Sequence, residues 1–307
     1  IAEALHLVSR ICGSCSIAHS LAFCLALEGL AGLEPGARAS SLRCAAAEFE
    51  RAAAHLDAAG KTLRAVGMPA QARMVDAIVG QLRHALTLLT GAPLAPSYVL
   101  PGGVARNLAN AEYEELALFL PKLNRSLLRT AEHLIDNRAL LARTVEVGAL
   151  PRAAAEQFGL RGPAARASGI ARDVRVDKPY SSYGDLAIKP IVQEGGDVFS
   201  RLVVLLLEAY ESLKLAEQFV RELPDGKWQG RVLTQVPRGE ANVLVEAPRG
   251  PLRYALRGDG MRITDVTLEP PRQLDRLLAR TLLAGALLDN VVAIIASADH
   301  CTSCAEA

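Results

Sequence analysis

The sequence predicts a mainly α fold of the α+β class, with one small antiparallel β insertion before the last helix. Three observations predict it. Alanine and leucine are abundant while aromatic residues make up only 4%, which favours helices over a β-sandwich. Long helix-like stretches recur along the chain. A single stretch, residues 230–269, alternates Val, Leu, Ile and Tyr with polar residues, as strands exposed on one face do. Half of the 307 residues are apolar and 22% are charged, so a packed core is expected and wholesale disorder is not. The chain reads as one domain over residues 1–307, with residues 229–269 as a β subregion within it.

The elements follow in order. Residues 18–30 are apolar on every face, as a buried helix is. Residues 43–66 carry Glu48, Glu50, Arg51, His55 and Arg64 on an alanine-rich background, and Gly67 and Pro69 end the helix. Residues 72–90 form an amphipathic helix stopped by Gly91-Ala92-Pro93. Residues 94–108 are rich in Pro and Gly and read as a loop. Leu and Ile at helical spacing predict a long helix over residues 110–137. From 159 to 196 the periodicity is lost; the Pro and aromatic content of this segment favours an ordered, functional stretch. Residues 198–223 return to a long helix, ended by Pro224-Asp225-Gly226. Gly239, Gly250 and Asp259-Gly260 mark turns between three or four strands. A last helix over residues 273–298 delivers the final cysteines. Its most apolar part, residues 281–297, is interrupted by Asp289 and Asn290 and reads as a buried core helix rather than a membrane span.

The net charge is +1 with acids and bases interspersed, which excludes a nucleic-acid surface as the organising feature. The chain starts at Ile1 without methionine and opens directly into helix-like sequence, so further sequence is expected upstream. No signal peptide is visible. The six cysteines are too sparse for a disulfide-stapled secreted domain. Four of them form two C-x-x-C turns, Cys12/Cys15 and Cys301/Cys304, and each turn puts two sulfurs on one side. Spacing alone leaves structural zinc, an iron–sulfur or nickel site and a redox dithiol all open. The pairs lie almost the whole chain apart, however. A site joining them needs the entire fold, which suits a buried centre better than a peripheral staple. Cys24 and Cys44 read as small core residues.

Arg10-Ile11-Cys12-Gly13-Ser14-Cys15 with His19, and Asp299-His300-Cys301 with Cys304, resemble the paired signatures of nickel–iron hydrogenase large subunits. Glu48-Phe49-Glu50-Arg51 with His55-Leu56 resembles that family's E-x-E-R-x-x-x-H-L helix, and residues 101–106 its glycine-rich loop. Gly162-Pro163-Ala164-Ala165-Arg166, Asp173, Arg175, Pro179-Tyr180, Tyr183, Gly196-Asp197 and Arg201 resemble a long pattern. That pattern is shared by membrane-bound, energy-converting (group 4) hydrogenases and the 49-kDa subunit of respiratory complex I. Arg249 in Glu246-Ala247-Pro248-Arg249-Gly250 points to the hydrogenase branch, because the complex I subunit tends to have lysine there and lacks the four cysteines. The sequence departs from the family at two places. His300 stands where a proline is usual, and Ala307 where His or Arg is usual.

The resemblance implies a hydrogenase-like helical bundle, lacking the N-terminal part of the family domain. It implies a nickel–iron centre whose iron carries cyanide and carbon monoxide, catalysing reversible heterolytic cleavage of H2. Cys12 and Cys301 would be terminal nickel ligands, and Cys15 and Cys304 would bridge the metals. Arg249 would stabilise the substrate pocket, Asp299 would pair with it or with a ligand backbone, and His19 would hydrogen-bond a bridging thiolate. Without the resemblance, those three residues read as a surface ion pair, a solvated acid at a helix end and a satisfied core histidine. His55 reads as structural. The family's proton-relay glutamate lies upstream of Ile1, and no replacement is nominated. Implied partners are an iron–sulfur small subunit that takes the electrons, a 30-kDa-like subunit and membrane subunits. These would hold the chain on the cytoplasmic face of the membrane. The remaining alternatives are a complex I-like quinone-reactive subunit and a non-enzymatic scaffold built on a zinc site.

Overall fold

The computed structural model describes residues 1–230, 233–271 and 274–305. Helix α1 (Ala2–Val8) leads into the first cysteine turn, and α2 (Ser16–Ala31) follows it. Nearly every residue of α2 up to Glu28 is buried, as its all-round apolar sequence requires. Helix α3 (Ala37–Ala65) begins six residues before the expected start, at the N-cap Gly36 that follows Pro35. Helix α4 (Pro69–Thr90) opens with Pro at its first position, where no N–H is needed, and closes on Gly91 with φ 86°.

The expected loop at 94–108 contains a two-residue ladder, β1 (Val99–Leu100) with β2 (Gly103–Val104). Helices α5 (Asn110–Ile135), α6 (Arg138–Thr144) and α7 (Arg152–Gln157) precede the irregular segment, which holds two short α-helices, α8 (Gly162–Arg166) and α9 (Val174–Asp177). Helix α10 (Val198–Arg221) is capped by Asp197, whose carboxylate accepts from Ser200 N at 2.7 Å. Helices α3, α4, α5 and α10 pack on one another, and α2 packs on the sheet.

The β subregion is a three-stranded antiparallel meander, β3 (Gly239–Ala247), β4 (Gly250–Gly258) and β5 (Ile263–Glu269). Its first strand begins at Gly239, later than the expected start at residue 230; Arg231 and Val232 lie outside the described residues. Ala247 pairs with Gly250, so Pro248 and Arg249 form a two-residue hairpin turn.

The expected last helix is not one helix. It is broken into α11 (Arg276–Leu283) and α12 (Val291–Ser297), followed by a short α13 (Thr302–Ala305). Gln273 lies outside the described residues. Gly285 adopts φ 74° between the pieces, and Leu287 and Leu288 are 72% and 85% exposed rather than buried. Among the described residues no helix is long and apolar enough to cross a membrane.

Between α3, α10 and β3 lies a buried lattice of charges. Arg166 donates to both oxygens of Glu208 and, at 3.0 Å, to Glu246. Arg175 bonds Glu48 at 3.0 Å and Asp173 at 2.7 Å. Arg51 donates to the carbonyls of Glu246 and Ala247. His55 Nε2 lies 3.2 Å from Glu208. Three arginines thus face four carboxylates, and Glu246 is the acid whose proton affinity rises, through burial and then the charge of Asp173. Glu208 moves the other way, from 4.5 to about 2; burial opposes the change, but Arg166 and His55 outweigh it.

Removing one member of such a lattice leaves carboxylates buried without a partner. Arg166→Leu is expected to lower unfolding free energy at neutral pH by about 3–5 kcal/mol. Glu208 binds its proton more weakly in the folded wild type, so its contribution is full above pH 4.5 and fades toward about pH 2. Denaturant titrations should therefore show the gap between variant and wild type narrowing as pH falls from 7 to 3. A gap independent of pH would contradict the assignment.

Candidate metal centre

Cys12 and Cys15 sit on the turn between α1 and α2, and Cys15 caps α2. Cys301 lies on the turn after α12 and Cys304 on the short α13 that follows, and this segment meets the first cysteine turn. Cys12 Sγ is 3.6 Å from Cys301 Sγ, and Cys15 Sγ is 3.4 Å from Cys304 Sγ. The ligand atoms of Cys12, Cys15 and Cys304 all lie within 4.8 Å of one another. All four side chains are buried. These separations are far beyond the roughly 2.05 Å of a disulfide. They match sulfurs held on one ion, since bonds of about 2.3 Å at angles of 90–109° place sulfurs roughly 3.2–3.8 Å apart. The donor set therefore fits a soft thiophilic metal.

Electrostatics agree. Thiols of Cys15, Cys301 and Cys304 hydrogen-bond to the Cys12 sulfur and push its pKa far down. The same bonds to Cys12 push the other three up. Ionising all four sulfurs at this spacing would require a cation among them.

The surrounding side chains are fixed from several elements. Arg249, on the β3–β4 turn, donates from Nε to Asp299 O at 2.9 Å, from one Nη to Asp299 Oδ1 at 3.0 Å and from the other to Ser14 Oγ at 3.0 Å. Ser14 Oγ in turn lies 3.3 Å from Cys12 Sγ. Burial favours loss of the Arg249 proton, but Asp299 and the thiols outweigh it and the guanidinium stays charged. Asp299, in the left-handed region at φ 49°, is pushed up to about 6, mainly by burial. His19 Nε2 lies 3.6 Å from Cys304 Sγ and its Nδ1 is 2.8 Å from Tyr254 Oη. Burial lowers its pKa to about 4, so the ring is neutral.

Two glycines set the approach of the α8 segment to this turn. A Cβ on Gly162, at φ 72°, would stand 2.1 Å from the Arg249 carbonyl, and one on Gly250, at φ 123°, would stand 3.0 Å from Gly162 N. His300 is exposed. Cys24 and Cys44 are fully buried away from the quartet, and burial raises both thiols, Cys44 to about 12. Ala307 lies outside the described residues.

The family model for the 49-kDa subunit of respiratory-chain NADH dehydrogenase matches residues 80–234. The chain belongs to this family. The matched stretch lies between the two cysteine turns and includes neither. The chain is 32% identical to the carbon monoxide-induced hydrogenase of Rhodospirillum rubrum, over 98% of this chain and 84% of that protein. It is 31% identical to an NADH-quinone oxidoreductase subunit of Sinorhizobium medicae, over 83% of this chain and 70% of that one. A solved structure of the membrane-bound sulfane sulfur reductase, an archaeal respiratory membrane complex, superposes with a TM-score of 0.91 at 26% identity. It covers 98% of this chain and 84% of that one. This family member is therefore homologous both to the large subunits of membrane-bound hydrogenases and to the corresponding NADH-quinone oxidoreductase subunit of complex I. Its relatives are oxidoreductase subunits of multi-subunit membrane complexes.

Sequence reasoning gave no role to three residues the fold brings to this site: Ser14, Tyr254 and Glu50. Glu50 was visible within the E-x-E-R pattern, but its contact was not. Its carboxylate accepts from Ile17 N at 2.8 Å and Ala18 N at 3.0 Å, holding the first turn of α2 behind Cys15. Burial raises it to about 7 against those two donors. Glu50→Ala leaves two N–H groups buried without acceptors, costing about 1–3 kcal/mol each. The metal-free variant is expected to expose Cys12 and Cys15, so thiol-reagent labelling of those two should speed up at least tenfold. Labelling at the wild-type rate would show that Glu50 does not hold the turn.

Proposed function

We propose that this chain is the catalytic subunit of a nickel–iron hydrogenase complex, carrying out reversible heterolytic cleavage of H2. The observation that carries the reading is the meeting of four buried thiols from opposite ends of the chain, Cys12 with Cys301 at 3.6 Å and Cys15 with Cys304 at 3.4 Å, with Arg249 held on Ser14 beside Cys12. The relationship to a carbon monoxide-induced hydrogenase supports it.

Cys12, Cys15, Cys301 and Cys304 would hold nickel together with an iron carrying cyanide and carbon monoxide. Such a centre, when bound, supplies the Lewis acid that polarises H2 and takes up its electrons. The protein supplies the rest. The Sγ of Cys12 or Cys301 would be the base that accepts the proton. Arg249 stays protonated and, held at three hydrogen bonds, presents fixed positive charge to the pocket without moving a proton itself. Asp299 orients Arg249 through its carboxylate and its carbonyl. Neutral His19, its ring fixed by Tyr254, donates toward the Cys304 sulfur and withdraws charge from it. Electrons leave to iron–sulfur clusters of a partner subunit, and a 30-kDa-like partner and membrane subunits hold the chain peripherally on the cytoplasmic membrane face. A single domain over residues 1–307, with the β subregion built into it, serves this reading.

A second reading has its own support. The matched family model and the NADH-quinone oxidoreductase relative favour a quinone-reactive subunit that has kept its cysteines. Metal analysis of the isolated complex separates the two. Nickel and iron in equal amounts, with infrared bands of cyanide and carbon monoxide, are expected. Zinc alone points to a structural site, and no metal to the quinone reading. Arg249→Lys keeps the charge but loses the fork that spans Asp299 and Ser14. It is expected to lower H2 turnover about 10–100-fold at unchanged metal content. Turnover within twofold of wild type would remove Arg249 from the pocket.

A further inference from the structure

The thiols of the quartet have a chemistry of their own before any metal is loaded. All four are free, and their sulfurs face each other in two pairs that join the two ends of the chain. Cys12 Sγ stands 3.6 Å from Cys301 Sγ, and Cys15 Sγ stands 3.4 Å from Cys304 Sγ. A disulfide measures about 2.05 Å, so each sulfur needs to move by only roughly 0.8 Å to bond the one opposite. A small change in χ1 supplies that. The two pairs share no member, so both bonds can form together.

Chain proximity alone favours a different pairing. In an unfolded chain a cysteine meets the other member of its own C-x-x-C turn far more often than one 289 residues away. Loop length by itself makes the distant encounter roughly a thousandfold rarer. The fold reverses that preference. Glu50 holds the backbone behind Cys15 through Ile17 N and Ala18 N. Arg249 holds Asp299, two residues before Cys301, by both its carbonyl and its carboxylate. Each cysteine segment is thus anchored with its sulfurs toward those of the other. Access is graded as well. Cys301 is the most exposed of the four at 8%, against 3–4% for the rest, while Cys24 and Cys44 are at 0%.

We propose that the quartet is a reversible oxidative modification site, in which a peroxide-class oxidant joins Cys12 to Cys301 and then Cys15 to Cys304, closing the unloaded chain to metal. Peroxide oxidises one thiol, that of Cys301 as the most exposed, to the sulfenic acid and releases one water. The Cys12 sulfur then attacks the sulfenic sulfur. The S–S bond forms, the S–O bond breaks, and the hydroxyl leaves with the Cys12 proton as a second water. Each disulfide therefore consumes two thiols and one peroxide. Cys15 and Cys304 react in the same way. A disulfide sulfur has no thiolate charge to offer a cation, so the oxidised quartet holds no metal. A thiol reductant returns both bonds to thiols by exchange. The site rests on the four thiols forming one cluster and not on which metal they take, so its failure would leave the hydrogenase reading untouched.

The test is hydrogen peroxide oxidation of the purified full chain, stripped of metal under reductant, followed by thiol counting and peptide mapping. The six thiols are expected to fall to two, Cys24 and Cys44. Mapping is expected to recover Cys12 linked to Cys301 and Cys15 linked to Cys304. The same treatment in denaturant is expected to give mainly links within the turns, Cys12 to Cys15 and Cys301 to Cys304. Cys301→Ser should leave Cys12 a free thiol while Cys15 and Cys304 still join. Zinc chloride is the metal probe. The oxidised chain is expected to bind zinc at least about a hundredfold more weakly than the reduced chain, and dithiothreitol to restore the binding. Links within the turns as the main product of the folded chain overturn the proposal, as does sulfinic acid without any link. An equal yield of cross-turn links in denaturant overturns the part given to the fold, and undiminished zinc binding after oxidation overturns the block on metal.

Discussion

One turn of helix α3 governs the geometry around the cysteine quartet. Glu48, Glu50 and Arg51 leave the helix in three directions and each seizes a different segment. Glu50 holds the backbone behind the first cysteine turn. Arg51 holds the carbonyls of residues 246 and 247, two positions before Arg249. Glu48 takes Arg175 and, at 2.6 Å, Tyr183 from the irregular stretch. One rigid helix thereby fixes the relative positions of loops that are remote in sequence, which loops alone could not do.

Such a lattice is not an efficient source of stability. Taking each ion out of water costs several kcal/mol, and apolar packing of equal volume often does as well. What it offers is definition. Carboxylate and guanidinium pair in few geometries, so a displaced loop breaks several bonds at once. The glycines act in the same sense. At Gly162 and Gly250 two backbones touch directly, so the carbonyl of Arg249 is positioned by main chain rather than by adjustable side chains.

Much of this was legible in the residues. The four long helices α3, α4, α5 and α10 announced themselves through spacing, three of them also through Gly or Pro at their ends, and the meander through alternation. The C-terminal helices misled for a physical reason. Residues 281–297 are mostly apolar, but Gly285 and the Asp289-Asn290 pair break the ladder, and several leucines face outward. A mostly apolar run carries no phase, so it could not show which way they would face. Two-residue strands such as Val99–Leu100 are too short to alternate. At the candidate site, the cysteines were readable because ligand chemistry restricts residue type. Ser14, Tyr254 and the contact of Glu50 were not: serine, tyrosine and glutamate serve everywhere, and what matters is a partner 33 to 235 positions away.

The sulfur pairs join positions separated by 289 residues. Any ion gripping both pairs would close a loop comprising nearly the entire polypeptide. In the chain-entropy picture, a covalent link of that span removes roughly 5–6 kcal/mol of freedom from the unfolded ensemble. Occupancy would then be felt by the most distant helix as strongly as by the neighbouring turns. Demetallation and global melting would become one thermodynamic event, and the length of the loop, rather than the strength of any single bond, would set how tightly they are joined.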